Sequence, residues 1–271
     1  MSEVPKVVVS RGDQLLQATT RRRFLSVLGV GGTIALLPGV FAARPFEKGM
    51  TGSLTATPNG GALKAVTRDG FTLDLSTDAG ILNYAYALEQ LEAAYYTAAL
   101  TSPGFDQLSH AEQEVFRDLQ KHEVIHREFL KQALGPNAIS EIEFNGDTVA
   151  SLTANRDVLL STSQLLEDTG VSAYNGAGKY LVHPEVLLVA GKIVSVEARH
   201  AAAIRDIRDG MNGRLFAGDD VINEAGLDVK AEPDTVIAAV GGLNVVISPL
   251  NIGTLPDQSK RTPDQPAPSP V

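Results

Sequence analysis

The sequence predicts an all-α fold, an antiparallel four-helix bundle with a long crossover between helices 2 and 3 and irregular N- and C-terminal extensions. Between residues 77 and 210, apolar residues recur at helical spacing in four separate segments. Two of the connections between these segments are short, whereas residues 137–155 form a long one. Four helices joined in this way are typical of one class of helix bundle.

The first two helices are predicted from their capping signals. Thr77 or Asp78 offers an N-cap in front of the first apolar stripe. The second helix begins with a capping box, SHAE at residues 109–112, and ends at the Gly-Pro pair of residues 135–136. The second helix is therefore the best delimited segment of the chain.

The third and fourth helices follow the long connection. Residues 157–181, "DVLLSTSQLLEDTGVSAYNGAGKYL", resume the helical period, and the fourth helix opens at Pro184, a favoured first position, and runs to Gly210. Residues 211–253 are predicted to form a C-terminal extension packed on the bundle, in which "GLNVVISPLNIG" indicates a strand or a packed loop. The composition of residues 254–271 predicts a disordered tail.

Composition excludes several function classes. The net charge of −9 provides no basic face for phosphate groups, so we expect no nucleic-acid partner. There are 0 cysteines, which excludes disulfides, iron–sulfur clusters and thiolate zinc sites. Any bound metal must therefore have oxygen and imidazole ligands.

The N-terminal region has the pattern of a targeting segment. Three arginines at residues 21–23 precede an apolar run that is diluted by glycine, shorter than the roughly 20 residues of a membrane span, and ended by Pro38. Small residues at Ala42 and Ala43 offer a cleavage point. This pattern resembles a twin-arginine export signal.

The export signal sets expectations for the first 76 residues. Residues 1–43 are predicted to be the signal peptide, with the twin-arginine translocation machinery as partner and no stable membrane span after cleavage. Residues 44–76 lack a helical period and predict an extended lead-in. The mature protein is expected to be exported, to the periplasm or the extracellular space.

Two Glu-x-x-His motifs lie inside apolar stripes, one in the second helix and one in the fourth. Glu123 and His126 share a helix face with Leu119, and Glu197 and His200 repeat this arrangement. Burying a carboxylate without a partner costs several kcal/mol, so these positions require compensation. A metal ion would supply it, and hydrogen bonds between Glu and His would be the metal-free alternative.

The first and third helices each place a glutamate in the same situation. Glu89 and Glu167 lie on apolar stripes, and Tyr96 and Tyr174 follow them by seven residues on the same face. These phenols are candidate catalytic residues that would hydrogen-bond a ligand carboxylate or lend an electron, or else core aromatics with a satisfied hydroxyl. Glu92 is an alternative to Glu89. Glu89 is favoured because a tyrosine follows it by seven residues, as Tyr174 follows Glu167.

The remaining histidines and one aspartate receive other assignments. His122 lies roughly 100° around the helix from Glu123 and is predicted to face solvent. His110 and His183 are predicted to be helix-end residues, and Asp168 to lie on the surface or behind a ligand.

Four carboxylates and two imidazoles in a bundle core form the ligand set of a di-iron or di-manganese carboxylate site. With this set, residues 77–210 resemble the ferritin-like superfamily, which includes bacterioferritin, rubrerythrin and manganese catalase. The stretches "LEQLEAAYY" and "LLEDTGVSAYNGAGKYL" are most similar to desiccation-related ferritin-like proteins. The resemblance implies two Fe or Mn ions. Glu89 and Glu167 would be terminal ligands, Glu123 and Glu197 would bridge the two ions, and His126 and His200 would cap one ion each.

The predicted site allows more than one activity. Two such metals would support iron oxidation, peroxide reduction or peroxide disproportionation, and the sequence does not choose among them. The alternative is a non-catalytic, secreted, stress- or desiccation-related structural protein that acts through its surface and extensions. Assembly into a homo-oligomer is left open.

Overall fold

A computed structural model of the chain describes residues 70–247 and 249–255. The predicted signal peptide, residues 44–69 of the predicted lead-in and residues 256–271 of the predicted tail lie outside the described residues. The expectations for those segments therefore stay predictions.

Four long helices form the bundle, and shorter elements connect and flank them. The long helices are α1 (Asp78–Ala99), α3 (His110–Leu134), α5 (Arg156–Gly178) and α6 (Pro184–Arg208). The short helices are α2 (Pro103–Asp106), α4 (Gly146–Ser151) and α7 (Pro233–Gly242), with a 3₁₀ turn at Gly135–Asn137. The strands are β1 (Phe71–Asp74) and β2 (Leu250–Thr254). Along the part of the chain that the structure describes, no helix is both long and apolar enough to cross a membrane.

The capping signals act as the sequence predicts. The Thr77 side chain accepts a hydrogen bond from the Gly80 amide, and Thr77 is the N-cap of α1. Both hydrogen bonds of the capping box at the start of α3 form between Ser109 and Glu112. Helix α3 ends at Gly135, which takes a positive φ of 53°.

The bundle consists of two helix pairs. Helix α1 packs mainly against α3, and α5 packs mainly against α6, with the pairs joined through α1 against α5 and α3 against α6. The long crossover runs along α1, where Asn83 accepts a hydrogen bond from the Ile139 amide and Gln90 accepts one from the Ile142 amide. Because the crossover covers its outer side, α1 is buried around nearly its whole circumference.

The strands and α7 are features that the sequence did not delimit. Strands β1 and β2 pair in parallel, with Phe71 opposite Leu250 and a register irregularity at Asp74. Strand β2 consists of residues 250–253 at the end of the predicted strand-or-loop segment and of residue 254, which was assigned to the tail. Two short strands far apart in the chain give no periodic signal that sequence can detect.

A buried arginine fixes the segment that follows the bundle. Arg205 of α6 is 3% exposed and donates to both carboxylate oxygens of Asp168 on α5, at 2.8 and 2.9 Å. It also donates to both carboxylate oxygens of Asp220, at 3.1 and 2.6 Å, and to the Leu215 carbonyl oxygen. Residues after Gly210 are thereby attached to the fourth helix.

We predict that Arg205→Ala lowers the free energy of unfolding by about 3 kcal/mol, because Asp168 is left without its charge partner in a mostly buried position. Chemical denaturation followed by circular dichroism measures the change. Lys121→Ala is the control, since Lys121 forms a pair with Asp118 that is exposed on both sides and its loss should leave stability nearly unchanged. Equal effects of the two substitutions would contradict this account of the segment.

Candidate metal centre

The bundle brings all six sequence-predicted ligands to one place. Two groups of side chains have their ligand atoms within 4.8 Å of one another. The first group is Glu89, Glu123, His126 and Glu197, and the second is Glu123, Glu167, Glu197 and His200. Each long helix contributes, because every ligand lies on the helix face turned toward the bundle axis. Glu123 and Glu197 belong to both groups, which is the position of a residue that bridges two cations.

The Nδ1 atom of each histidine points into the carboxylates. His126 Nδ1 lies 2.9 Å from Glu197 Oε1, 3.4 Å from Glu89 Oε2 and 3.5 Å from Glu123 Oε2. His200 Nδ1 lies 2.8 Å from Glu123 Oε1 and 3.4 Å from Glu167 Oε2. Each imidazole therefore presents the same nitrogen to one of the two groups.

These buried atoms lack hydrogen-bond partners within the described part of the chain. The shortest contacts have the distance of a hydrogen bond but not its geometry. The unpartnered atoms are Glu89 Oε2, both Oε atoms of Glu123 and Glu197, Glu167 Oε2, and Nδ1 of His126 and His200. Buried polar atoms are normally satisfied, so a group of eight that face one another indicates a missing cation partner.

Electrostatics separates the two shared carboxylates. Burial alone raises the pKa of Glu123, but the imidazoles of His126 and His200 outweigh it and lower that pKa to about 2. Burial and the charges of Glu123 and Glu89 hold the pKa of Glu197 well above its usual range. The two shared carboxylates thus differ in their surroundings, because the imidazoles favour the charged form of Glu123 whereas burial and neighbouring charges disfavour the charged form of Glu197.

The other ligands follow the same logic. Burial raises the pKa of Glu89, which His126 partly offsets, to about 7, and burial also raises the pKa of Glu167. For the histidines, burial lowers the pKa but the nearby carboxylates outweigh it, and the pKa of His200 rises to about 10. Because carboxylates and imidazoles must be deprotonated to coordinate, cation binding at this centre would release protons.

The donor set fits a pair of iron or manganese ions. Carboxylate oxygen and imidazole nitrogen suit divalent first-row metals, and four carboxylates neutralise two divalent cations. All four carboxylates are 0% exposed, so a cation would be shielded from bulk water. The residues present therefore match the group that the sequence pattern implies.

The tyrosines link the two halves of the centre crosswise. The Tyr96 hydroxyl donates to Glu167 Oε1 at 2.6 Å, and the Tyr174 hydroxyl donates to Glu89 Oε1 at 2.5 Å. Burial first, and then the carboxylate that each contacts, raises the pKa of both phenols well above the usual range. Each phenol therefore stays protonated and orients the glutamate of the opposite helix.

The structure places Glu92 beside the centre as well, although it belongs to neither group of four. Its side chain is buried, and burial, followed by the charges of Glu197 and Glu123, raises its pKa well above the usual range. It extends toward Gly170, where a Cβ atom would lie 3.1 Å from Glu92 Oε1 and 3.4 Å from Glu197 Oε2. Glu89, which the sequence favoured over Glu92, is therefore the α1 glutamate that belongs to a ligand group. Glu92 is a fifth carboxylate at the edge of the centre.

His122 was predicted to face solvent, but it also contacts His200. The His122 side chain is exposed, yet its Nδ1 atom lies 2.9 Å from Nε2 of His200. Position around a single helix could not reveal this, because the partner belongs to α6. The signal that was available is the HEVIH pattern itself, in which His122 adjoins a ligand.

The other assignments are resolved by their partners. His110 is the first residue of α3, and His183 is the N-cap residue of α6, where its backbone and ring nitrogens both contact Asp78. Asp168 is neither simply exposed nor in contact with a ligand, since its carboxylate binds Arg205. These residues therefore serve the fold.

Comparison with known families agrees with this geometry. Residues 77–209, just under half of the chain, match the family model of the ferritin-like domain. The four-helix bundle is a ferritin-like domain. No curated protein matches the sequence. The domain match and the buried carboxylate and histidine groups together establish a ferritin-like domain with a cluster able to hold metal.

Gly170 provides a test of how tightly the ferritin-like centre is packed. We predict that Gly170→Ala weakens divalent-cation affinity about tenfold, because the added methyl group displaces the Glu92 and Glu197 carboxylates. Isothermal titration with Mn(II) measures the change.

Gly191→Ala on α6 is the matched control, because a Cβ atom there meets nothing within 4 Å. Both substitutions gain helix propensity of about 1 kcal/mol, so only a loss of affinity confined to Gly170→Ala supports the packing argument. Identical affinities in the two variants would count against it.

Proposed function

We propose that the chain is an exported ferritin-like protein whose bundle holds two Fe or Mn ions in a carboxylate-bridged centre and carries out redox chemistry on Fe(II), oxygen or peroxide. The observation that carries the proposal is the sharing of Glu123 and Glu197 between two groups of converging, unpartnered ligand atoms. The ferritin-like domain match supports it.

Each ligand has a proposed role that follows from its membership of the groups. Glu123 and Glu197 occur in both and would bridge the two cations. Residues that occur in one group would be terminal ligands, Glu89 and His126 for one cation and Glu167 and His200 for the other. In both histidines the coordinating atom would be Nδ1, which faces the carboxylates.

A carboxylate-bridged pair of iron or manganese ions supplies two-electron exchange with oxygen or peroxide. The chain supplies the surroundings for it. The buried carboxylates exclude bulk water, and Tyr96 and Tyr174 fix the terminal glutamates by hydrogen bonds. Tyr96, which is 0% exposed and whose hydroxyl lies 2.6 Å from Glu167 Oε1, would also be positioned to lend an electron to the centre.

Export is proposed on the N-terminal sequence alone. The arginines at residues 21–23, the short apolar run and the small residues before residue 44 support transport by the twin-arginine route. That route carries folded proteins, which is compatible with metal being inserted before export. Periplasmic or extracellular location follows from the same proposal.

Metal analysis of the exported protein, purified without chelator, tests the centre. We predict about two Fe or Mn per chain, and a large loss of metal in the double variant Glu123→Ala, His200→Ala. Glu114→Ala on the exposed face of α3 is the control and should keep the metal content. Circular dichroism verifies that each variant is helical.

Two outcomes separate the alternatives. A metal-free protein whose melting temperature does not change when Fe(II) or Mn(II) is added would refute the metal centre and favour the non-catalytic structural protein. If metal is bound, following absorbance after addition of Fe(II) with oxygen, and following peroxide consumption, distinguishes iron oxidation from the peroxide reactions.

The tyrosines supply a separate prediction. Tyr96→Phe and Tyr174→Phe should each slow oxidation about tenfold while metal content is retained, because each removes the donor that orients a terminal glutamate. Stopped-flow absorbance measures the rate. Tyr95→Phe is the control, since the Tyr95 hydroxyl contacts the Leu159 carbonyl and no ligand. Unchanged rates in all three variants would leave the phenols as packing residues only.

A further inference from the structure

The two Glu-x-x-His helices of the bundle repeat their ligands at a fixed offset. On α3 and α6 the Glu-x-x-His motifs correspond with an offset of 74, since 197 minus 123 and 200 minus 126 both give that number. The same offset pairs the residue that precedes each glutamate, which is His122 in the first half and Val196 in the second. The repeat is therefore broken next to the ligands, where an imidazole in one half corresponds to an apolar side chain in the other.

His122 contacts the outer nitrogen of a ligand from the opposite half. Its Nδ1 atom is 2.9 Å from His200 Nε2, the two ring planes are 5° apart, and the ring centroids are 5.1 Å apart. Nearly coplanar rings at that separation are what an in-plane, edge-to-edge hydrogen bond between two imidazoles requires. The contact is a directed hydrogen bond and not face-to-face stacking.

The direction of the hydrogen bond follows from what the other nitrogen of His200 faces. Nδ1 of His200 lies among the carboxylates of Glu123 and Glu167, so Nδ1 is the atom that would coordinate a cation. Coordination through Nδ1 leaves the proton on Nε2, which donates to Nδ1 of His122. The two nitrogens lie at hydrogen-bond distance without a cation as well, and either ring can then donate according to its tautomer.

The corresponding position in the other half cannot do the same. Val196 has no polar side chain, and Nε2 of His126 has no hydrogen-bond partner among residues 70–247 and 249–255. In other respects the two groups match, because each has three carboxylates and one imidazole. The restraint on the histidine ring is thus the clearest difference between the two halves.

We propose that His122 is a positioning residue that fixes the ring of His200, and that the cation position served by His200 binds more tightly than the one served by His126. This inference rests on the proposed metal centre. A ring already held in the coordinating orientation loses less freedom on binding, and outer partners of ligating histidines typically contribute about 10- to 100-fold in metal affinity.

Anaerobic titration of the metal-free, full-length protein with Co(II), followed by calorimetry and visible absorption, tests the unequal affinities. The wild-type protein should bind in two steps. His122→Ala should weaken the tighter step about 10- to 100-fold and leave the weaker step unchanged. His122→Asn should retain the tighter step, because Oδ1 of asparagine provides an acceptor at the position of Nδ1. Val196→Ala, the equivalent substitution in the other half, should change neither step.

A second readout needs no cation. In ¹⁵N-edited NMR spectra of the metal-free protein, the proton that lies between His200 Nε2 and residue 122 should exchange slowly in the wild type and in His122→Asn. No protected proton should be found at this position in His122→Ala. Loss of this protection together with loss of the tighter step is the result expected for a positioning role.

The outcomes separate this inference from the proposed function. Equal affinities in the wild type, or an equal loss in both steps in His122→Ala, would overturn the role of His122 and leave the metal centre intact. A wild-type protein that has a protected proton between His122 and His200 but binds no Co(II), Fe(II) or Mn(II) would overturn both the metal centre and the unequal affinities.

Discussion

The structure depends on the neutralisation of carboxylates inside the bundle. Four glutamates that are 0% exposed, and a fifth at 4%, lie around one point on the axis of four helices. Transfer of an unpaired carboxylate into such surroundings costs several kcal/mol, and the mutual repulsion adds to that cost. The shared carboxylates have opposite pKa directions, because two imidazoles lower the pKa of Glu123 against its burial, whereas burial and neighbouring carboxylates raise the pKa of Glu197.

The way in which the four helices pack follows from the same constraint. Each half supplies an acidic helix and a Glu-x-x-His helix, and neither half alone satisfies its own ligands. Tyr96 of the first half donates to Glu167 of the second, and Tyr174 donates back to Glu89. His122 of the first half contacts His200 of the second. Polar contacts therefore tie the halves together at the centre.

The sequence predicted the parts of the fold whose signals are local. The capping box at Ser109 and the Glu-x-x-His spacing each lie within one helix, where a period of 3.6 residues determines which side chains share a face. The strand pair of Phe71–Asp74 and Leu250–Thr254 lies beyond such signals, since it depends on two segments far apart in sequence. The contact of His122 and the space that Gly170 leaves for Glu92 were missed for the same reason, because both arise between helices.

The energetic cost of the centre bears on the choice between a metal centre and a purely structural bundle. Replacing buried ionisable groups by apolar residues of similar volume is often neutral or stabilising, so a bundle needed only as a scaffold gains little from five buried glutamates. The chain also surrounds them with specific donors, Tyr96 and Tyr174, which orient carboxylates more than they neutralise them. Neutral phenols leave the negative charge in place. Two cations, one in each group, would offset this charge and use all of the unpartnered oxygen and nitrogen atoms at once. A metal centre therefore accounts for the arrangement better than a structural role does.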